Sequence, residues 1–420
     1  MRLLALITGK IILSILQLIH RRGAALPGLV VERLFPAFLA RSLNLLPQGV
    51  VIVTGTNGKT TSTKMLTHVL RSEYRVLTNP TGSNFVRGII ASIVQHSKWS
   101  GALPYDIGVF ELDEAYAARF VELYKPRATI VLNVMRDQMD RFGEIDHTAR
   151  LLTSVVRKTT DFAILNADDD RVSEMQNHTK ARVFMFGVDA SLRSIFKTDD
   201  ELHNDVITAR NTSFVAAKLK GFDDSNVATI ELDGQVLKTP LAARGTYNAQ
   251  NATAVCLAAS LLKIDVESIT TRISEVSPAF GRGEHIIVGK KKVILQLVKN
   301  PGGFRHALLS GAQHKQAATM IAINDDYADG RDVSWLWDVD FIHGGVTGDV
   351  ITSGVRATDM ALRLKYDGLT TQLVQQNLST ALDDLLSRGS GDATVLIYST
   401  YTAMLELRRL LAQKTEVEAV

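Results

Sequence analysis

The segment Val53-Thr-Gly-Thr-Asn-Gly-Lys-Thr-Thr61 gathers glycines, a lysine and a run of hydroxyls into one short stretch, the composition of a loop that holds phosphate. Glycines let backbone N–H groups approach an anion closely, and the start of a following helix adds positive partial charge. Lys59 can then reach the outer phosphates of a nucleotide and the Thr60 hydroxyl can hold Mg²⁺, with Thr56, Asn57, Gly58 and Thr61 completing the cradle. The stretch departs from the general phosphate-loop pattern at Val53, where that pattern has glycine. A carboxylate that could share the metal comes from Val109-Phe-Glu-Leu-Asp-Glu-Ala115, in which Glu111 would stand at a strand's carboxyl end. Asp113 and Glu114 beside it also fit a solvated acidic loop. A third segment, Asn133-Val-Met-Arg-Asp-Gln-Met-Asp140, delivers Asn133 to the same edge.

For these segments to converge, each must follow a strand of one sheet. Gly49-Val-Val-Ile-Val53 is short, β-branched and bounded by turn residues, so it reads as a buried strand, with a helix following from Thr60. Further strands are expected at 106–110, 128–132, 162–165 and 183–186, with helix-length segments between several of them. That alternation predicts an α/β fold, a mostly parallel sheet with helices on both faces. Residues 188–243 change to scattered Thr, Asp and Asn with short alternating runs, which predicts an antiparallel β insertion. From Val293 the α/β rhythm resumes, with strands expected at 293–297, 319–323 and 394–399. The expected organisation is an N-terminal amphipathic helical segment over 1–47, an ATP-binding central domain over 48–283 and a C-terminal α/β domain over 284–420.

At 420 residues the chain is too long for one ordinary core. Its 47 basic and 44 acidic side chains are too evenly matched for nucleic-acid binding, which needs a concentrated basic face. Its single cysteine, Cys256, lies in an apolar helical run and reads as a small buried hydrophobe, so neither an internal disulfide nor a four-cysteine zinc site is expected. The apolar run Leu3 to Ile19 is interrupted by Lys10 and followed by Arg21 and Arg22, which fits neither a signal peptide nor a membrane span. Lys10, Ser14, Gln17 and Arg21 fall at helical spacing, which predicts a polar stripe on a surface helix that packs on the protein's own core or touches a membrane.

The phosphate loop, Asn133 with Asp137 and Asp140, and Gly245-Thr-Tyr-Asn-Ala-Gln-Asn251 together resemble the Mur ligases in order and spacing. In that family the loop lysine and threonine bind ATP and Mg²⁺, which implies these roles for Lys59 and Thr60, and the asparagine matching Asn248 faces the adenine. Gly281-Arg-Gly-Glu284 resembles the arginine-bearing hinge between the family's second and third domains, which implies a nucleotide contact for Arg282. One subgroup, the MurT-type synthetase subunits of lipid II isoglutaminyl synthase, is resembled more closely. Its marks are Glu111-Leu-Asp-Glu114, Arg136-Asp-Gln-Met-Asp-Arg141, Lys299-Asn-Pro-Gly-Gly-Phe304 and the long run from Asn324 to Asp338. Two departures are visible. Gln138 stands where many Mur ligases have histidine, leaving Glu111 and Thr60 more of the metal, and the zinc ribbon of some MurT-like chains cannot be built with Cys256 alone.

The resemblance implies a cytoplasmic ligase that acts at the membrane surface on lipid II. ATP would phosphorylate the α-carboxyl of its stem-peptide D-glutamate, and ammonia would displace phosphate. It also implies a GatD-like glutamine amidotransferase as heterodimeric partner, because a glutaminase needs an activated cysteine and Cys256 is poorly placed to serve. Asp332, or alternatively Asp338, would complete the partner's Cys–His pair, with Trp335 and Trp337 as interface anchors or as core residues. Two other readings stay open: a Mur or folylpolyglutamate-type ligase that joins an amino acid, and a non-catalytic nucleotide-binding scaffold.

Overall fold

A computed structural model describes the chain except residues 19–24, 80–84, 137–144, 199–200, 202–214, 224, 243–244, 278–281, 313, 315, 343, 347 and 418–420. The phosphate-loop strand, β1 (Val50–Thr54), is buried along its whole length. Its alternation sends Val51 and Val53 into one core layer, with Met65, Leu66 and Val69 of α4 (Lys59–Leu70) and Val255 and Cys256 of the Thr246–Leu261 helix. Val50 and Ile52 enter the opposite layer, with Leu6, Val31, Phe38 and Ile89. Those residues belong to α1 (Arg2–Leu18), α2 (Ala25–Leu34), α3 (Phe38–Leu43) and α5 (Val86–His96), so the N-terminal helices roof the central sheet. A strand covered on both faces needs an unbroken apolar run, and Val50-Val-Ile-Val53 supplies it.

Among the described residues the central sheet runs β2 (Val76–Thr78), β3 (Ile107–Glu111), β1, β4 (Ala128–Val131), β5 (Phe162–Asn166), β6 (Arg182–Val188), β7 (Val215–Phe222), β8 (Val227–Leu232), β9 (Gln235–Pro240). Pairing is parallel from β2 to β7 and antiparallel from β7 to β9. The expected antiparallel insertion is therefore the far edge of the central sheet. β1 lies between β3 and β4, with Val53 level with Glu111 and Thr54 level with Val131. The loops after all three strands open at one edge, where α/β sheets bind ligands.

A second sheet runs β10 (Arg282–Val288), β11 (Lys291–Leu297), β15 (Thr394–Ser399), β12 (Gln316–Ala322), β13 (Asp349–Ser353), β14 (Leu373–Gln375), parallel except for β10 against β11. The boundary expected at residue 283 falls inside β10. Val293 and Leu295 face one core layer and Ile294 the other, so this sheet too is covered on both faces.

The polar stripe expected on α1 is only partly exposed. Ser14 and Gln17 face solvent, but Lys10 is buried with its ammonium 5.3 Å from the Trp99 ring, and burial lowers its pKa. Close packing is the cause. A side chain at Gly9 would strike Val94 at 2.8 Å, so α1 lies hard against α5 and the adjacent Lys10 stem is covered. Arg21 lies outside the described residues.

Candidate functional site

Gly58 caps α4 at φ +89°, where a side chain is strained, and a Cβ there would sit 2.4 Å from Asn251 Oδ1. Gly55, at φ +121°, would press a Cβ onto the Asn133 backbone at 2.9 Å. The loop is thus flattened between the end of β4 and the Thr246–Leu261 helix, and α4 begins without a side-chain cap. A helix start of this kind, with no side-chain cap, is suited to an anion.

Lys59 is buried, with its ammonium 3.0 Å from Asp113 and 3.6 Å from Glu114, and it donates to the Thr56 carbonyl at 3.3 Å. Asp113 and Glu114 therefore act as counter-ions to the loop lysine. Thr60 Oγ1 donates to Glu111 Oε1 at 2.8 Å, and Glu111 is itself buried. Asn79 clamps the Glu111 backbone in both directions, donating to its carbonyl and accepting from its N–H at 3.0 Å each.

Asn57 ties three elements together. Its N–H donates to Asn133 Oδ1 at 2.8 Å, and Asn133 Nδ2 returns a bond to the Asn57 carbonyl at 3.0 Å. Its side-chain amide exchanges bonds with that of Asn300, at 3.2 and 3.1 Å, which links the loop to the second sheet's domain. Asn300 also caps the Pro301–Gly311 helix, accepting from Gly303 N–H. Thr56 Oγ1 accepts from Met135 N–H, and Thr61 is buried in α4.

Between the two sheets lies a cleft lined among others by Asn57, Gly58, Asn133, Tyr247, Asn251 and His306. The His306 ring stands 5.9 Å from those of Phe196 and Tyr247. Desolvation first, and the Arg305 charge second, push its pKa down to about 4, so the ring is neutral at pH 7. Neither His306 Nδ1 nor Asn251 Nδ2 has a hydrogen-bond partner among the described residues, and both belong to the cleft wall. A flat ring bearing donors and acceptors would find aromatic walls and unsatisfied polar atoms there. Next to the lining residues His306 and Phe196, Arg305 donates to the Ile195 and Ser194 carbonyls, at 2.8 and 3.0 Å.

The structure brings Thr56, Asn57, Gly58, Lys59, Thr60, Glu111 and Asn133 into one site. Asn248 is buried in the first turn of its helix, whereas Tyr247, Gln250 and Asn251 form the cleft wall. The Arg282 backbone opens β10; its side chain, like Asp137, Gln138 and Asp140, lies outside the described residues. Asn79, Arg305, Phe196 and His306 were not singled out from sequence, and Asn300 entered only as part of the Lys299–Phe304 run, with no role given to it. Asp332 lines a separate surface hollow with Trp337 and Arg363, half-buried and accepting from Ser334 N–H at 2.8 Å. Asp338 instead faces Arg136 at 3.9 Å. Trp335 packs with Phe304 in the core, while Trp337 is 52% exposed and stacks edge-on against Tyr366. Cys256 is fully buried, and burial pushes its thiol up to about 12.

Comparison with known proteins adds to this geometry. Residues 53–259 match the Mur ligase middle domain and residues 297–404 the MurT ligase C-terminal family. The chain is 30% identical to the MurT subunit of the glutamine-hydrolyzing lipid II isoglutaminyl synthase of Streptococcus pneumoniae, over 94% of this chain and 93% of that protein. It is 25% identical to the Staphylococcus aureus subunit of the same name, over 92% and 93%. Among solved structures, the MurF ligase of Thermotoga maritima in complex with ADP aligns with a TM-score of 0.68 at 15% identity, covering 90% of this chain and 83% of that one. Escherichia coli FolC, in complex with DHPP and ADP, aligns at 0.63 and 15%, covering 90% and 93%.

Proposed function

The chain belongs to the MurT family of Mur ligase-like synthetase subunits, and from that membership we propose that it amidates the α-carboxyl of D-glutamate in the lipid II stem peptide. It is an ATP-dependent ligase working as one subunit of a complex. The observation that carries the reading is the Thr60–Glu111 contact at the foot of the glycine loop, beside a buried Lys59 and beneath an interdomain cleft. Tyr247 and His306 would hold the base of ATP and the glycine loop its phosphates. Asn248 and Arg282 remain proposed nucleotide contacts. Thr60 and Glu111 suit Mg²⁺, which takes one or two carboxylates plus phosphate oxygens, and the ion would neutralise charge on the transferring phosphoryl group.

The substrate carboxylate attacks the γ-phosphorus, ADP leaves, and an acyl phosphate forms. Ammonia then adds to the acyl carbon, and phosphate departs carrying the proton that the nitrogen loses, which leaves the neutral amide. Lys59 moves from Asp113 and Glu114 onto the phosphates, exchanging carboxylate for phosphate partners within the same buried pocket. Closure across Asn57–Asn300 and Arg305 keeps water from the acyl phosphate.

Ammonia comes from a GatD-like glutaminase docked on the domain of residues 284–420, since the Cys256 thiol is too buried and too basic to hydrolyse glutamine. Asp332 serves that partner's Cys–His pair, with Trp337 as anchor. Asp332 lines the hollow beside Trp337, whereas its competitor Asp338 faces Arg136. The proposed organisation keeps an N-terminal helical segment over 1–47, a nucleotide-binding domain over 48–283 and a partner-docking domain over 284–420, with the β10 strand (Arg282–Val288) spanning the junction of the last two, in a protein that works in the cytoplasm.

Purified lipid II is the test substrate, with ATP and Mg²⁺ and with ammonium, glutamine alone, or glutamine plus the partner. Amidation with ammonium, none with glutamine alone, and recovery with the partner are expected. ATP-dependent joining of an amino acid instead would move the chain to the single-chain ligases, and full amidation by Lys59→Ala would make it a scaffold.

A further inference from the structure

α1 presents two different faces. Ala5, Leu6, Gly9 and Leu16 are buried, and Gly9 would bring a Cβ within 3.0 Å of Val31 in α2. α2 in turn crosses α5 so closely that a Cβ on Gly28 would lie 2.0 Å from the Arg87 carbonyl. The three helices form one tight platform, which fixes the outward face of α1. That face carries Leu4, Ile11, Ile15 and Leu18, 54%, 49%, 52% and 79% exposed, at spacings that follow a single helical stripe, with Leu3 beside it. Trp99, 58% exposed, stands next to the stripe over Lys10, and Lys98 is exposed beside it.

Charge separates the possible occupants of this face. Residues 1–47 contain Arg2, Lys10, Arg21, Arg22, Arg33 and Arg41 against one carboxylate, Glu32, which is paired with Arg119 at 2.7 Å. That segment is therefore +5, in a chain of net charge +3, so the remaining residues sum to −2. A second copy would bring a like-charged segment to the same interface. An anionic bilayer instead complements the net positive charge of the segment, while the apolar stripe suits the headgroup–acyl boundary and tryptophan favours that depth. No helix among the described residues is long and apolar enough to cross a membrane.

We propose that α1 and Trp99 form an in-plane docking face for the anionic surface of a lipid bilayer. The proposal does not rest on the amidation reading. Docking would confine the cleft to the layer in which a lipid-linked substrate is presented, and would lower the KM for that substrate in vesicles without changing kcat.

The test is sedimentation of the full chain with phosphatidylcholine vesicles containing about 30% phosphatidylglycerol, and with phosphatidylcholine alone. Expected are binding to the anionic vesicles, weakening with salt, a blue shift of tryptophan emission that Trp99→Phe removes, and loss of at least ~10-fold in partitioning for Ile11→Glu/Ile15→Glu. Both isoleucines are half-exposed, and circular dichroism and thermal melting confirm that the variant is folded. Ammonium-dependent amidation in detergent is expected to be the same for variant and wild type, which separates this proposal from the enzymatic one. Absence of binding to anionic vesicles overturns it. So does full binding by the folded double variant, or a stable dimer in light scattering that the double variant dissolves.

Discussion

Replacing Glu111 by glutamine separates the metal role of this side chain from its structural one. Glu111 Oε1 accepts from Thr60 Oγ1 at 2.8 Å, and its backbone is clamped by Asn79, so a glutamine of nearly the same shape keeps the bond through its amide oxygen. What changes is the charge. A charge-assisted bond becomes a neutral one, costing about 1 kcal/mol, and a shift in Tm of no more than about 4 °C is expected. Glu111→Ala is the poorer probe, because it leaves a Thr60 hydroxyl unsatisfied at a cost of about 1–3 kcal/mol and confounds folding with chemistry. Loss of an anionic metal ligand removes several kcal/mol from the phosphoryl-transfer step, so ammonium-dependent amidation by Glu111→Gln is expected to fall by roughly 10²–10³-fold. The assay is phosphate release with ammonium as donor, titrated with Mg²⁺, beside a thermal melt of the same preparation. A folded Glu111→Gln enzyme with wild-type rate and unchanged Mg²⁺ dependence would refute the placement of the metal between Thr60 and Glu111.

Asp332→Asn is expected to abolish glutamine-dependent amidation in the presence of the partner while leaving the ammonium-dependent rate within about two-fold, because it lies in a hollow apart from the cleft. Asp338→Asn, whose carboxylate faces Arg136, is expected to spare both; the reverse outcome exchanges the two assignments. Gly311→Ala would put a methyl group 2.0 Å from Tyr398 Oη and 2.9 Å from Leu396 Cδ1, an overpacking cost of about 1–3 kcal/mol visible in a urea midpoint, and Tyr398→Phe in the same chain is expected to recover part of it. His306 titrates near 6.5 when unfolded and about 4 when folded, so between these values the unfolded chain binds the extra proton. Stability is then complete above pH 6.5 and declines toward pH 4, by at most about 3 kcal/mol, and His306→Phe is expected to flatten that part of the urea-midpoint profile; parallel profiles for the two proteins would count against it.

How much of this could be read from sequence depended on how local each signal is. β1 and its loop are legible because a strand buried on both faces demands consecutive apolar residues, and a phosphate turn demands glycine where φ is positive, as at Gly58. Glu111 was legible from its place at the end of an apolar run. β2 and β14, three residues each, are too short for any periodicity to register, and β10 was hidden because its turn-like Gly281-Arg-Gly-Glu284 start resembles a linker. The amphipathic reading of α1 went astray at Lys10 for a related reason. Helical spacing says which residues share a face but not which face is covered, and here Gly9 decided it by drawing α1 onto Val94. Partners from the second domain were the least visible. Asn300 pairs with Asn57 across 243 positions of sequence, and Arg305 reaches the Ile195 carbonyl across 110. Asn300-Pro-Gly-Gly303 was noticed, yet its local logic, an asparagine cap followed by proline in the first helical turn, accounts for it fully. Only the fold shows that the same asparagine both caps its helix and grips the phosphate loop, so that helix cannot swing away from the cleft without breaking both amide bonds to Asn57. The geometry therefore ties the glycine loop to the second sheet's domain through Asn57.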